Sequence, residues 1–254
     1  MRHGLDGTAS IAGADSYASY TLRGWKSRRT GGTETMAESK RDRAYNYLRE
    51  QIVLCHIKPG EALDEKRVAA ELGFSRMPVR DAVNKLAEEH LVSIFPSRGV
   101  IVNQISLADF QDMLDIRLLI EPYLLHLAMP RVDRVDLEEF RAAMMARIGD
   151  PNAETDSFGH DFDYTFHMYF AHKAGSRYLI SLMGTLMTQS QRIRFFSVVE
   201  PERIIASYRE HVAIIDAVLA GDEEAAAAAI RDHLNNTREG YLRISRAREG
   251  FFRA

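Results

Sequence analysis

The fold of the N-terminal half is decided by one stretch, ELGFSRMPVRDAVNKLAEEHLV, at residues 71–92. Ser75 is a typical helix N-cap residue, and Pro78 falls in the first turn after it, where a missing backbone N–H costs nothing. Apolar residues then recur at spacings of three and four: Val79, Ala82, Val83 and Leu86. This spacing predicts a helix that begins just after Ser75 and buries one face.

A second stripe on the same predicted helix is polar. Arg76, Arg80 and Asn84 follow one another at intervals of four residues, which places them side by side along the helix. The helix dipole disfavours positive charge at a helix start by roughly 0.3–1 kcal/mol. An arginine that binds guanine through two hydrogen bonds, in contrast, gains about 1–3 kcal/mol of base discrimination. The stripe is therefore either a DNA-reading surface or an ordinary solvated face.

The elements on either side of this helix help to choose between these alternatives. Before it, one helix ends at KPG (58–60), and a short second helix is capped by Asp64 and followed by Gly73. After it, two β-rich runs, LVSIF and GVIVNQI, are joined by PSR (96–98), which predicts a hairpin. Three helices and a hairpin predict a winged helix-turn-helix, whose third helix enters the DNA major groove. The basic hairpin tip, Arg98–Gly99, favours the DNA-reading alternative.

Composition bounds the class of protein. Residues 1–35 are rich in Gly, Ser, Thr and Ala without apolar periodicity, which predicts a disordered tail and no secretion signal. No apolar run reaches the roughly 18–20 residues that span a membrane, and the single cysteine, Cys55, fits a reducing compartment. The net charge is −3, and the acidic excess lies after residue 104. We therefore predict a cytoplasmic protein whose DNA-binding domain occupies residues 36–104.

Residues 105–254 have a helical pattern throughout. Apolar residues recur at spacings of three and four in segments near 106–129, 132–148, 154–174, 177–199, 201–220 and 222–248. No strand pattern interrupts these segments, so we predict an all-α antiparallel helical bundle. The whole chain is thus expected to be mainly α, with a small β-hairpin confined to the N-terminal winged helix-turn-helix.

Four polar residues of the predicted bundle form a candidate metal site. Asp163 and His167 are one helical turn apart among phenylalanines, the spacing with which one helix offers two ligands to an ion. A buried carboxylate there needs a cation or an imidazolium nearby. His211 and His233 lie on later helices, and nothing in the spacing forces these helices together. The alternative is that each histidine is an ordinary core or surface residue.

The N-terminal half resembles the winged-helix domain of GntR-family transcription regulators. The resemblance covers about residues 40–104 and is carried by PGEALDEKRVAAELGFSRMPVRDAVNKLAEEHLV and RGVIV, with Ser-Arg-x-Pro-Val-Arg at 75–80 as its core. It implies DNA contacts by Lys66, Ser75, Arg76, Arg80, Arg98 and Gly99. The tip at Ser97–Gly99 would approach the minor groove. Met77 and His90 depart from the family pattern, which often has threonine at the first position and glycine at the second.

The C-terminal half resembles the all-helical FCD ligand-binding domain of the FadR subfamily of these regulators. The resemblance spans about residues 106–240 and is carried by DIRLLIEP, DFDYTFHMYF and YREHVAIIDAVLAGDEEAAAAAIRDHL. It implies that one divalent metal is bound by Asp163, His167, His211 and His233.

The same resemblance implies that Arg117 pairs with the carboxylate of an effector. The alternative for Arg117 is an intrahelical pair with Glu121, four residues later, worth about 0.3–0.5 kcal/mol. Arg192 and Arg194 are further candidates for the effector cavity, and the spacing does not choose between them.

Together these resemblances imply a homodimeric, metabolite-responsive repressor that binds a palindromic double-stranded DNA operator. A small carboxylate would bind the metal and Arg117 and change the spacing of the two winged helices, while residues 105–254 also carry the dimer interface. Zinc is the first candidate for the metal, with nickel and manganese as alternatives, because a mixed nitrogen and oxygen site accepts all three. Two other functions stay open: a metal-dependent enzyme whose Asp/His site activates water, and a constitutive DNA-binding protein in which the cluster is coincidental.

Overall fold

The structure is a computed structural model that describes residues 38–149, 158–197 and 201–247. The predicted disordered tail, residues 1–35, lies outside the described residues. Within them the chain is mainly helical, with one small antiparallel sheet in its N-terminal part, which confirms the predicted fold class. None of the helices in these ranges is long and apolar enough to cross a membrane.

The N-terminal part is a winged helix-turn-helix. Its elements are α1 (Lys40–Val53), β1 (Ala62–Leu63), α2 (Glu65–Leu72), α3 (Arg76–Glu88), β2 (Val92–Phe95) and β3 (Gly99–Val102). Helix α3 begins directly after Ser75, and it packs against α1 and α2. Its buried side is the predicted one, with Val79, Ala82, Val83 and Leu86 in the interior.

The sheet contains one strand more than the sequence predicts. Strands β2 and β3 form the expected antiparallel hairpin, in which Phe95 lies opposite Gly99. Strand β1 pairs with the other edge of β3, with Leu63 opposite Val100. Because β1 is only two residues long, it is too short for an alternating pattern to reveal it. This pairing connects the β2–β3 hairpin, which is the wing, to the segment between α1 and α2.

Local capping explains where the short helices begin and end. The Asp64 side chain caps α2 by accepting hydrogen bonds from the backbone N–H groups of Lys66 and Arg67. Gly73 ends α2 with a φ of +65°, a conformation that glycine adopts without strain. Ser75 occupies the N-cap position of α3, but its side chain makes no capping hydrogen bond. The predicted N-cap position of Ser75 is therefore confirmed, but its side chain does not stabilise the helix end by a hydrogen bond.

The C-terminal part is an all-α bundle, as predicted. Its helices are α4 (Leu107–Ala128), α5 (Arg134–Ile148), α6 (Phe158–Ala174), α7 (Arg177–Ser197), α8 (Pro201–Ala220) and α9 (Glu223–Ala247), with a 3-10 turn at Met129–Arg131. Helices α6 and α7 pack as one pair and α8 and α9 as another. Helix α4 contacts both α6 and α9, so it links the two pairs.

Three groups of buried apolar residues form the interior. One lies in the winged helix and includes Leu48 and Leu86. Two lie in the bundle, one around Phe166 and Ile214 and the other around Met187. In the part of the chain that the structure describes, none of these groups combines residues of the winged helix with residues of the bundle. The two parts therefore meet without a shared apolar core.

Candidate metal centre and nucleic-acid interface

Four buried side chains of the bundle converge, and they are the four that the sequence analysis proposes as metal ligands. Asp163 and His167 come from α6, His211 from α8 and His233 from α9. Each of these residues offers one candidate ligand atom, and the four atoms all lie within 4.8 Å of one another. The Nε2 atoms of His211 and His233 are 3.3 Å apart, and Asp163 Oδ1 lies 3.6 Å from His211 Nε2. The bundle thus brings together groups that the sequence spacing left separate.

Aromatic packing on α6 holds the cluster in the interior. Phe166 and Phe170, next to His167 on this helix, are buried. The ring of Phe166 lies 4.5 Å from the ring of His211, which brings α6 and α8 together at this level. The ligand atoms consequently sit in a water-poor environment, where charges interact more strongly than at the surface.

Two carboxylates behind the cluster orient two of the histidines. Glu121 Oε2 lies 2.7 Å from His167 Nδ1, and Glu210 Oε2 lies 2.8 Å from His233 Nδ1. Burial alone would raise the pKa of Glu121, but Arg117 and His167 outweigh it and lower the pKa to about 2. Burial alone would also raise the pKa of Glu210, but His233 and Arg203 together outweigh it and lower that pKa.

Because both carboxylates are ionised, they can only accept hydrogen bonds. The Nδ1 atoms of His167 and His233 therefore carry protons and donate hydrogen bonds to these carboxylates, and their Nε2 atoms are left to face the cluster. This is the carboxylate–histidine arrangement that orients metal ligands in zinc sites. Sequence reasoning missed Glu121 and Glu210 in this role. The one available signal was that Glu210 directly precedes a predicted ligand, His211.

The charge of Asp163 is balanced by Arg194 of α7, one of the two further arginine candidates. Arg194 Nη2 lies 2.7 Å from Asp163 Oδ2. Burial alone would raise the pKa of Asp163, but Arg194 and the two nearest histidines hold it well below the ordinary value of an aspartate. The cation that this buried carboxylate requires is therefore supplied by the chain itself.

The donor set fits a divalent metal ion. Burial lowers the pKa of His211 well below its ordinary value and also lowers that of His233, so both imidazoles are neutral and offer lone pairs. Asp163 Oδ1 is buried and has no hydrogen-bond partner within the described residues, although it lies between His167 and His211. Three imidazole nitrogens and one carboxylate oxygen suit zinc, and also nickel or manganese.

Arg117 lies at the edge of this cluster. It is buried, its Nε donates to Glu121, and its Nη1 lies 3.3 Å from Ser190 Oγ. Its Nη2 lies 3.3 Å from His167 Nε2. The intrahelical pair with Glu121 therefore exists, and it is buried beside the Asp/His cluster. A cavity next to His167, lined also by Leu124, Phe170 and Ile230, has room for about one water molecule.

Arg192, the other candidate, does not face the cluster. It is 1% exposed, and its Nη2 donates to the backbone carbonyl of Asn103, at 2.6 Å, in the winged helix. Arg192 and Arg194 are two positions apart on α7, so their side chains leave the helix in directions about 200° apart. The sequence spacing therefore implies that only one of them can face a given site, but it does not say which.

The residues predicted to bind DNA all lie at the surface of the winged helix: Lys66, Ser75, Arg76, Arg80, Arg98 and Gly99. Arg76, Arg80 and Asn84 form an exposed stripe on α3, and among the described residues neither arginine has an acidic partner. Met77, in the first turn of α3, is 66% exposed. An exposed apolar side chain in this place suits contact with a thymine methyl group.

Two cations at the start of α1 extend the same surface. The Arg43 guanidinium lies 5.1 Å from the ring centre of Phe74, and Lys40 Nζ lies 5.8 Å from it. Phe74 directly precedes Ser75, so both charges lie beside the start of α3. Sequence reasoning missed them, because they are more than thirty residues away from α3 along the chain.

Comparison with known proteins identifies both parts of the chain. Residues 40–102 match the bacterial regulatory proteins of the gntR family, and residues 112–236 match the FCD domain. The HTH-type transcriptional repressor RspR of Escherichia coli K12 is 31% identical over 212 residues, which cover 82% of this chain and 91% of RspR. The HTH-type transcriptional regulator LutR of Bacillus subtilis is 29% identical over 206 residues, covering 72% and 92%.

Solved structures share the fold. The crystal structure of a GntR transcriptional regulator from Rhodococcus sp. RHA1 matches with a TM-score of 0.69 at 23% identity, covering 83% of this chain and 99% of the other. E. coli McbR/YncC matches with a TM-score of 0.67 at 19% identity, covering 81% and 98%. At these identities the likeness shows the fold alone.

Replacing Arg194 by methionine should strongly destabilise the metal-free protein. The change leaves the Asp163 carboxylate buried without its guanidinium, and breaking a buried pair from one side costs about 3–5 kcal/mol. Urea unfolding in the presence of EDTA measures the free energy of unfolding. The matched control is Arg141→Met, which breaks an exposed pair with Asp216 and should cost far less, because solvent screens that pair. Equal losses in the two variants would contradict the assigned role of Arg194.

Proposed function

The chain belongs to the gntR family of bacterial regulatory proteins, and we propose that it is a cytoplasmic, homodimeric repressor whose DNA binding responds to a small organic acid. It is a transcription regulator with a helix-turn-helix and an FCD domain, and its relative RspR is a repressor. The observation that carries the rest of the proposal is the convergence of Asp163, His167, His211 and His233 inside the helical domain. A bundle that served only for association would not need four buried ionisable groups.

In this proposal residues 36–104 bind a palindromic operator, one half-site for each subunit. Arg76 and Arg80 contact base edges in the major groove, where each exposed guanidinium is free of acidic partners in the described chain. Lys66 and Ser75 contact phosphates beside the start of α3. The wing tip, Arg98–Gly99, reaches the minor groove, and the φ of +80° at Gly99 keeps the tip compact.

The charges around the cluster support an anionic effector. Three ion pairs lie in the cluster or next to it: Arg117–Glu121, Arg194–Asp163 and Arg203–Glu210. As a set these pairs are neutral, so a bound divalent cation leaves two positive charges without partners. A carboxylate effector reduces this excess, and we therefore propose that the metal and the effector each strengthen the binding of the other. Residues 105–254 form the domain that binds both.

Arg117 is the residue that we assign to the effector. Its Nη2 and His167 Nε2 are 3.3 Å apart, so one carboxylate can lie against both the guanidinium and the metal position. When bound, the metal would act as a Lewis acid that anchors the carboxylate. Because the cavity beside His167 admits only about one water molecule, an acid that enters there must displace its walls. Binding would thereby change the packing of α4 against α6 and α7.

Two exposed apolar stripes support the homodimer. Leu119 and Tyr123 of α4 are 78% and 55% exposed, and Ile116 lies on the same side of the helix. Tyr178 and Leu182, one turn apart on the neighbouring helix α7, are also exposed. Soluble monomers rarely expose large contiguous apolar patches, so a second copy of the chain is the partner that we propose for these five residues, the α4/α7 face.

Family membership excludes the metal-dependent enzyme that the Asp/His site allows on chemical grounds, since the family and the relatives named above are regulators of transcription. The constitutive DNA-binding protein remains an alternative to the metabolite-responsive regulator. The two differ in whether a metal and a carboxylate change operator affinity.

Replacing Arg80 by alanine should weaken specific operator binding by about 1–3 kcal/mol and leave the fold intact, because the side chain is exposed and reads bases. Gel-shift titration against the region upstream of its own gene measures the change. Random DNA of the same length is the control. An equal loss on random DNA would mean that Arg80 contacts phosphate and does not read sequence.

The EDTA-treated protein should take up one zinc ion per chain, and His167→Ala should abolish this uptake. Glu121→Gln should weaken zinc affinity by about 10–100-fold, because it removes the carboxylate that orients His167. Elemental analysis and chelator competition measure both effects. His126→Ala is the control, since His126 is an exposed histidine paired with Glu223.

The same preparations test the effector response. A panel of small mono- and dicarboxylates should change operator affinity of the zinc-loaded protein in gel shifts. Arg117→Met should keep the zinc and lose that response. A protein that takes up no zinc, or a His167→Ala variant that still responds, would contradict the proposed mechanism.

Replacing Leu119 by glutamate should convert the dimer into a monomer, because it places a charge in the centre of the α4/α7 face. Sedimentation measures the oligomeric state. Val135→Glu, at an exposed apolar residue of α5 that is outside this face, is the control. A dimer that survives Leu119→Glu would locate the interface elsewhere.

A further inference from the structure

A buried cation, Arg192 on α7, lies outside the metal centre. It is 1% exposed, and no carboxylate of the described residues forms an ion pair with it. Its neighbours are neutral acceptors: Nη2 donates to the Asn103 carbonyl at 2.6 Å, and Nη1 donates to Gln189 Oε1 at 2.8 Å. Its Nε is buried without a hydrogen-bond partner in the described part of the chain. A charge buried in this manner is costly, which calls for an explanation.

The acceptors around Arg192 and Gln189 belong to the two DNA-binding elements. Asn103 directly follows the wing strand β3, and its side chain donates to the carbonyl of His90 at 2.9 Å. Gln189 Nε2 lies 3.3 Å from the carbonyls of Glu89 and His90, which follow the end of α3. One turn of α7 therefore contacts both the end of α3, the predicted DNA-recognition helix, and the base of the wing.

The other side of the same turn reaches the metal centre. Ser190 Oγ lies 3.3 Å from Arg117 Nη1, and Arg194 pairs with Asp163 at 2.7 Å. Residues 189–194 thus alternate between the winged helix and the metal centre. Because α7 is a continuous helix here, a shift or rotation caused by one side changes the contacts of the other.

The energetics of this contact favour a detachable arrangement. No group of buried apolar side chains spans the two domains in the described ranges, so hydrogen bonds dominate their docking. Burial lowers the pKa of Arg192 to about 10, which leaves it charged at neutral pH. Separation of the domains would return this charge to water, so the cost of burying it offsets part of the stabilisation that the hydrogen bonds of Arg192 give to docking. Small changes at α7 therefore suffice to shift the balance between docked and undocked domains.

We propose that Gln189 and Arg192 form an interdomain latch, which holds the winged helix in one orientation against the bundle, and that occupancy of the metal centre moves this latch through α7. The latch itself stands independently of the metal centre. Its link to the metal rests on the proposed function. Gln189 and Arg192 are positioning residues in this scheme, since they contact neither the metal position nor the DNA-reading face.

The latch is tested by the distance between two spin labels, one on the wing at Ser97→Cys and one on α5 at Glu139→Cys. Both sites are exposed, all samples carry Cys55→Ser, and dilution with unlabelled protein removes distances between subunits. With Arg192 present, the metal-free protein should give one narrow distance distribution. Arg192→Met should broaden it, because the winged helix loses its fixed orientation. Arg134→Met, which removes an exposed arginine paired with Glu138, should leave it unchanged.

A distribution as narrow for Arg192→Met as for Arg134→Met would overturn the latch. Gln189→Met provides the same test if Arg192→Met fails to fold, as judged by its thermal unfolding. Zinc added to the protein with Arg192 should shift the distance, and Arg192→Met should bind zinc without that shift. Zinc uptake without any shift would overturn the link through α7. Absence of zinc uptake would overturn the proposed metal centre and this link with it, while the metal-free comparison still decides the latch.

Discussion

One buried carboxylate, that of Asp163, constrains the whole helical domain. An ionised group without water must be surrounded by groups that stabilise its charge, and here these come from α7 through Arg194 and from α8 through His211. Apolar packing alone tolerates small rotations and shifts of helices, because many hydrophobic arrangements fill space almost equally well. Directional contacts to a single carboxylate remove that freedom. The relative positions of α6, α7 and α8 follow from this requirement.

The same requirement repeats at the next layer. His167 and His233 each donate a hydrogen bond to a carboxylate, and those carboxylates in turn pair with arginines, Arg117 for Glu121 and Arg203 for Glu210. Charges of opposite sign therefore alternate outward from the centre. This alternation keeps the interior neutral while it leaves lone pairs aimed inward. In the proposed function such a site is stable when empty, and it gains positive charge only when a metal binds.

The sequence predicts the elements of this molecule better than their contacts. Helix α3, the hairpin and the bundle were predictable because each depends on local periodicity and on Ser75, Pro78 or Gly73 at its boundaries. The four residues of the candidate metal site could be predicted as a set because two of them share a helix face and a family resemblance supplies the others. Strand β1 was not predictable, because two residues are too few to show an alternation of apolar and polar side chains. The roles of Glu121 and Glu210 and the direction of Arg192 towards the winged helix were not predictable, because they depend on how distant helices pack, which local patterns do not encode.

Besides the side-chain pair Arg49–Thr188, three contacts between the domains use backbone carbonyl groups as acceptors, at Glu89, His90 and Asn103. Every amino acid presents the same carbonyl, so these acceptors persist whatever side chains occupy the three positions. During evolution the recognition helix and wing can therefore acquire new base preferences without loss of the connection to the sensor. A helical domain that holds the end of α3 and the base of the wing through their main chain can be recombined with many different DNA-binding domains, and new regulatory circuits can arise by exchange of whole modules.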